Sequence, residues 1–242
     1  MMALAELGSL EEAMGLAGEL APRLEEAGEV NHLLEVRSAQ AWALSVRGEP
    51  AAAAALGQWI AERAREYARP EMLAIAYPPA AALRVAHGDA PGARAVLAEL
   101  SKVHSASGWA PYAANLGGAV RAALAAGAPE LAAELAGAVQ PSHPLQQHAV
   151  ITARALLAEQ RGQHAEAAGL FADAAARWEQ FEVPWERAQA LLGQGRCLLA
   201  LRRPAGARQP LTVAREIFAS LGAKPVLADA CQLLAQATAL AG

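Results

Sequence analysis

The sequence predicts an all-α solenoid, and three observations carry that expectation. A Gly-x4-Ala step recurs as Gly8/Ala13, Gly48/Ala53, Gly88/Ala93, Gly127/Ala132 and Gly162/Ala167, and a sixth copy places Arg202 in the glycine slot before Ala207. The slots lie 40, 40, 39, 35 and 40 residues apart, and self-similarity at a period of roughly 20–50 residues marks a repeat architecture. The chain is also rich in Ala, Leu, Arg, Glu and Gln, all good helix formers, and no alternating strand pattern is sustained along it. A length of 242 residues would otherwise point to one or two globular domains. A solenoid instead buries apolar surface between neighbouring units, so residues 1–242 are read as a single repeat domain.

Each unit, aligned on its slot, is a helix pair. Helix A takes up roughly the 16 residues before the slot, and helix B follows it. Glycine in the slot can take the left-handed conformation that ends helix A and reverses the chain. Proline then often opens helix B, at Pro50, Pro91, Pro129 and Pro204, where its missing N–H costs nothing. The Ala five residues after the slot is small because helix B must approach helix A closely there.

Nine residues after the slot stand Ala17, Gly57, Leu97, Ala136, Phe171 and Leu211, and twelve after it Leu20, Ile60, Leu100, Val139, Ala174 and Ala214. Those offsets share one helix face. Seven residues before the slot stand Ala41, Ala81, Val120, Ala155 and Gly195, again mostly small.

Four irregularities carry their own expectations. The short interval between Gly127 and Gly162 predicts a clipped fourth helix B and an altered superhelical turn near Gln140-Pro141. Arg202 predicts a different helix end near the C-terminus. Pro78-Pro79 should split the third helix A into 71–76 and a new start near Pro78, with Tyr77 beside unpaired carbonyls, because a proline inside a helix costs about 3 kcal/mol or more. At the ends, Met1–Leu7 reads as the last turns of a helix A, and residues 225–240 as a helix A with no helix B after it.

Small at −7, Gly, Ala at +5, a larger apolar residue at +9 and a mostly small one at +12 resemble the tetratricopeptide (TPR) pattern, most clearly in Gly162-Ala167-Phe171-Ala174. Ordinary TPR units run about 34 residues, and the longer units here are similar to the helical-repeat domain of MalT-like regulators that end in a LuxR-type DNA-binding domain. The run Arg215-Glu216-Ile217-Phe218-Ala219-Ser220-Leu221-Gly222-Ala223 resembles a phrase of the closing repeats in such regulators. The resemblance implies a right-handed superhelix of about six TPR-like pairs, with an incomplete N-terminal unit and an extra C-terminal helix. It also implies a protein- or ligand-interaction module, the sensor or partner-binding domain of a bacterial transcriptional regulator. The alternative is a stand-alone TPR adaptor that docks a peptide or protein.

Composition narrows the function classes further. The formal net charge is −4, with both signs interspersed and no basic stripe, so direct nucleic-acid binding is not expected. No apolar run is long enough for a membrane span, no export signal is read at the N-terminus, and a cytoplasmic location is expected. Only Lys102 and Lys224 are lysines, a skew that fits a GC-rich bacterial genome. Cys197 and Cys231 fall within predicted helices and are read as buried and reduced.

The search for chemistry yields nothing that implies an enzyme. There is no Gly-x4-Gly-Lys-Ser/Thr loop. His32, His87, His104, His143, His148 and His164 make no metal-binding spacing, and His143 and His148 are read as solvent-exposed. No catalytic residue, metal or cofactor is expected. The partner is a protein, a peptide or a small effector, with other domains of a longer regulator or a second copy at the uncapped ends as further partners.

The TPR resemblance places ligands on the concave face, at offsets −13, −10, −6 and −3 in the A helices. From those positions, with Tyr77 added from the double-proline site, the candidate binding residues are Glu35, Ser38, Trp42, Tyr77, Arg121, Thr152, Gln189 and Arg196. Aromatic and Arg anchors are enriched at binding hot spots. Trp59, Trp109, Trp178 and Trp185 are read as structural.

Overall fold

The computed structural model describes residues 10–67, 69–103 and 107–240, apart from the side chain of Pro50. Gly8 of the first step, the Met1–Leu7 segment and His104 lie outside the described residues. Among those described there are twelve helices and no strand, an all-α solenoid. They are α1 (Leu10–Glu26), α2 (Val30–Arg47), α3 (Pro50–Tyr67), α4 (Pro70–Ala86), α5 (Ala90–Ser101), α6 (Ala110–Ala125), α7 (Pro129–Gly137), α8 (Pro144–Gln160), α9 (His164–Gln180), α10 (Pro184–Ala200), α11 (Pro204–Ser220) and α12 (Lys224–Ala239). Even-numbered helices are of type A and odd-numbered ones of type B. Two compact units result, the first over 10–45 and 49–150, the second over 46–48 and 151–240.

The repeat register appears directly in the packing. Ala53, Ala93, Ala132, Ala167 and Ala207 at +5 are all fully buried, as are Ala41, Ala81, Val120 and Ala155 at −7. At +9 and +12 the exceptions are Ala136 and Leu20, which are half-buried. In the first unit α4 packs on both α5 and α6, and in the second α10 packs on α9, α11 and, more lightly, α12. The cluster of Ala17, Ala21, Leu33 and Val36, with Leu20, Leu24 and Trp59 against it, joins α1, α2 and α3.

One helix end is used repeatedly. At Gly88 the slot N–H bonds to Val85 O and the next N–H reaches back to Arg84 O at 2.8 Å, a Schellman close with the slot residue left-handed. The same pair of bonds closes α6 at Gly127 and α8 at Gly162, and also closes the B helices α1 at Gly28 and α11 at Gly222. Arg202 makes it too, with φ at 56° and Arg203 N–H bonded to Leu198 O at 2.9 Å. The expectation of a different end at Arg202 is therefore corrected: the packing of α10 against α11 holds the same turn, and the side chain accepts the left-handed conformation. Glu182 does the same after α9, with φ at 58°. Relieving a left-handed non-glycine residue outweighs the added entropy of glycine, so Arg202→Gly and Glu182→Gly should each stabilise by about 0.5–1 kcal/mol, read as a higher urea midpoint.

Two more expectations meet the structure here. The fourth B helix, α7, is clipped to 9 residues, against 17 in α9 and α11. By contrast, α4 is not split at Pro78-Pro79 but runs unbroken across both. The prolines deprive Ala74 and Ile75 carbonyls of their helical donors, yet every residue from Met72 to Ala81 is buried. Packing on all sides of α4 offsets the lost bonds, and proline's own φ is compatible with the helix. Gly117-Gly118 likewise lies inside an unbroken α6.

Candidate functional site

The second unit holds the most developed polar group on the A helices. Glu159, near the end of α8, and Arg196, in α10, are 37 residues apart in sequence, close to one repeat period, and form a two-pronged ion pair. Arg196 Nε and Nη2 each donate to a different Glu159 oxygen at 2.8 Å. Burial alone would lower the guanidinium pKa, but the Glu159 bonds and charge, with smaller help from Cys197 and Asp229, hold it above its usual value. Burial also pushes the neighbouring Cys197 thiol up to about 12, with Glu159 adding to the shift, so this cysteine stays a protonated, inert thiol at neutral pH.

The Arg196 side chain remains 38% exposed. Two of the five donors of the fork face Glu159, and the planar group still presents an outer edge of a kind that grips carboxylates. Gln189, half-buried, stands two turns earlier on the same helix, and Asp229 comes from α12. The arrangement is a pre-oriented cation with acidic flanks. Its outer N–H edge can donate hydrogen bonds, and no metal-ligand cluster is found among the described residues.

The first unit has a second polar group, made by three helices. Arg65 of α3 donates from Nε and Nη2 to the two oxygens of Glu99 on α5, at 3.1 and 2.9 Å. The Tyr77 hydroxyl of α4 donates to the same Glu99 at 2.7 Å. Burial opposes the Glu99 charge, but Arg65 and Tyr77 together hold its carboxyl below the usual range; burial and Glu99 raise the Tyr77 pKa. A depressed carboxyl stabilises above its unfolded pKa, about 4.3, and that contribution is lost as the pH falls through the folded value. The stability difference between the wild type and Glu99→Gln should therefore hold down to about pH 5 and shrink as the pH falls further, in urea titrations.

The sequence-derived candidates divide into three groups. Arg196 and Gln189 share α10 in the second unit, and Glu35, exposed on α2, together with half-buried Trp42 and Arg121 occupies A helices of the first. Ser38, Thr152 and Tyr77 lie inside the packing, at 0%, 1% and 1% exposure. Thr152 accepts the Trp178 indole N–H at 2.8 Å, and Tyr77 serves Glu99. The reason is geometric: the −10 residues Ser38, Pro78, Gly117, Thr152 and Leu192 are buried in every complete pair, so that offset faces the adjoining helix and offers no surface to a ligand.

Other readings also change. Trp109 is 50% exposed, at the N-cap of α6. Cys231 is exposed, because the face of α12 that carries it has no covering helix among the described residues. His148 is buried, on the core side of α8. Glu99, Arg65 and Asp229 lie outside the residues expected to bind, whereas Glu159 holds offset −3 on the expected concave face. Its pairing with Arg196 is what position alone does not give; the signal for it is an opposite charge one repeat away, at −3 against −6. Arg65 and Glu99 both lie on B helices, outside any search confined to the A helices.

No protein-family model matches the chain, and no curated protein does. Among solved structures, the chain is similar to the crystal structure of BtubC (BKLC) from P. vanneervenii, at 19% identity and a TM-score of 0.53, over 88% of this chain and 92% of that one. That likeness shows the helical fold.

Proposed function

We propose that the protein is an interaction module that recognises a protein, a peptide or a small effector through the polar A-helix surface of its second unit, centred on Arg196. The single observation that carries this reading is the half-exposed guanidinium held in a fixed plane by both oxygens of Glu159. A fixed fork loses less entropy on meeting a carboxylate than a free arginine does. Within this reading the module is the regulatory domain of a bacterial, cytoplasmic transcriptional regulator of the MalT-like kind. The forty-residue period and the closing Arg215–Ala223 phrase support that assignment, and a stand-alone adaptor is the alternative. An ATPase module and a DNA-binding domain encoded in the same reading frame would establish the regulator; a frame spanning only this chain would favour the adaptor.

Ligand class is read from a thermal-shift panel of sugars, nucleotides and acidic peptides. A ligand at 100 times its dissociation constant stabilises by about 2.7 kcal/mol. The shift should vanish in Arg196→Ala and weaken in Arg196→Lys, which keeps the charge but loses the planar fork. A ligand whose shift is the same in all three proteins would remove Arg196 from the site.

A further inference from the structure

Successive A helices of the second unit bring Glu159, Arg196 and Asp229 together, and the signs of these charges restrict what can bind there. Glu159 of α8 takes two of the Arg196 N–H groups. That pairing moves three residues toward the N-terminus on crossing one repeat, since Glu159 stands at −3 and Arg196 at −6. Helices α10 and α12 pack lightly on each other. The same step carried on from Arg196 to α12 falls at Leu233, with exposed Gln232 beside it and exposed Asp229 one turn earlier. The Asp229 charge acts on Arg196, yet Asp229 forms no hydrogen bond or ion pair with a described residue.

Two carboxylates against one guanidinium leave a negative charge in excess. A ligand with a carboxylate alone gains hydrogen bonds from the outer edge of the fork, but Glu159 already offsets the Arg196 charge and Asp229 repels the newcomer. A ligand with an amine alone is drawn to Glu159 and Asp229 and repelled by Arg196. One that carries both groups can set each against its opposite. The hydrogen-bonding capacity for this is present. Of the five guanidinium N–H groups only two face Glu159, and each Glu159 oxygen, accepting one of them, keeps a further lone pair.

We propose that the Arg196 surface takes a small zwitterion of the amino-acid type, its carboxylate on the outer edge of the guanidinium and its ammonium against Asp229 and Glu159. This rests on the reading of Arg196 as the binding group and adds the second charge of the ligand. Asp229 is then the residue that sets specificity. It takes no part in gripping the carboxylate, and it selects for a ligand that is cationic at its other end.

The probes are β-alanine, γ-aminobutyrate and ε-aminocaproate, which scan the separation of the two charges, with caproate and n-hexylamine as single-charge controls. Each is titrated into the whole chain at neutral pH and followed by calorimetry. At least one amino acid of the series should bind at least about tenfold, or 1.4 kcal/mol, more tightly than either control. Asp229 is exposed, so Asp229→Asn should keep the wild-type melting curve. In that variant the amino acid should fall to the level of caproate, while caproate itself binds no more weakly, because a repulsion has gone. Arg196→Ala should abolish the binding of both. Caproate binding as tightly as the best amino acid, and dependent on Arg196, would overturn the zwitterion and leave the Arg196 reading standing. Undiminished binding of the amino acid to Asp229→Asn would do the same. Tight binding of n-hexylamine alone, or binding that survives Arg196→Ala, would overturn both. No binding by any probe overturns the zwitterion, whereas an Arg196-dependent hit elsewhere in the thermal-shift panel would still support the broader reading.

Discussion

Phe171→Ala will destabilise the second unit by about 3–5 kcal/mol, the usual cost of removing a buried phenylalanine. Phe171 is 1% exposed and occupies the +9 position of α9, the knob of its repeat. Its ring rests directly on the backbone of α10 at Gly193, where a Cβ would stand 2.5 Å from Cζ. A ring seated against bare backbone cannot be replaced by a small shift of neighbouring side chains, so most of the cavity stays open and the loss lies near the top of the range. Urea unfolding followed by circular dichroism reads the effect. Because solenoid stability is shared chiefly between nearest neighbours, hydrogen exchange should accelerate in α9 and α10 far more than in α4–α6.

The complementary change, Gly193→Ala, should also destabilise, by about 1–3 kcal/mol, although alanine is the better helix former by about 1 kcal/mol. The added methyl enters the space of the Phe171 ring, and the overlap outweighs the propensity gain. A control on the adjoining helix separates the two terms. Gly169, exposed in α9, has nothing within 4 Å of its Cβ direction, so Gly169→Ala should stabilise by about 0.5–1 kcal/mol. Opposite signs at Gly193 and Gly169 are the expected result. In a Phe171→Leu background the penalty at Gly193 should fall, a coupling that a double-mutant cycle measures.

These effects explain why so much of the fold was legible. The period, the left-handed slot, the small +5 and −7 positions and the large +9 knob each reflect one local requirement, and all of them agree, as a foldable sequence demands. Legibility failed where tertiary packing overrode a local rule. Pro78-Pro79 breaks helices by propensity, yet burial on every side holds α4 together. Arg202 lacks glycine's freedom, yet the packing of α10 against α11 holds the turn. The shortening of α7 could be read because a missing stretch of chain leaves a numerical trace in the slot spacing.

The binding surface was less legible. Offsets borrowed from the shorter TPR unit treated −10 as open, whereas Ser38 and Thr152 there are buried. Arg196 was found by position alone. Its partner Glu159 carries no motif, and the pair exists only because the superposed helices bring −3 of one repeat to −6 of the next. Arg65 and Glu99 lie on B helices, outside the A-helix offsets, and the exposure of Cys231 and Trp109 is set by tertiary cover that no local pattern encodes.

The most direct measurement of the central claim, recognition through the Arg196 surface, is hydrogen exchange on the complex with whichever ligand the thermal-shift panel identifies. The expected result is added protection concentrated in α8, α10 and the Asp229 turn of α12, lost in Arg196→Ala while Arg196→Ala alone keeps the wild-type exchange pattern elsewhere. Protection confined to the exposed faces of the B helices, and unchanged by Arg196→Ala, would contradict it.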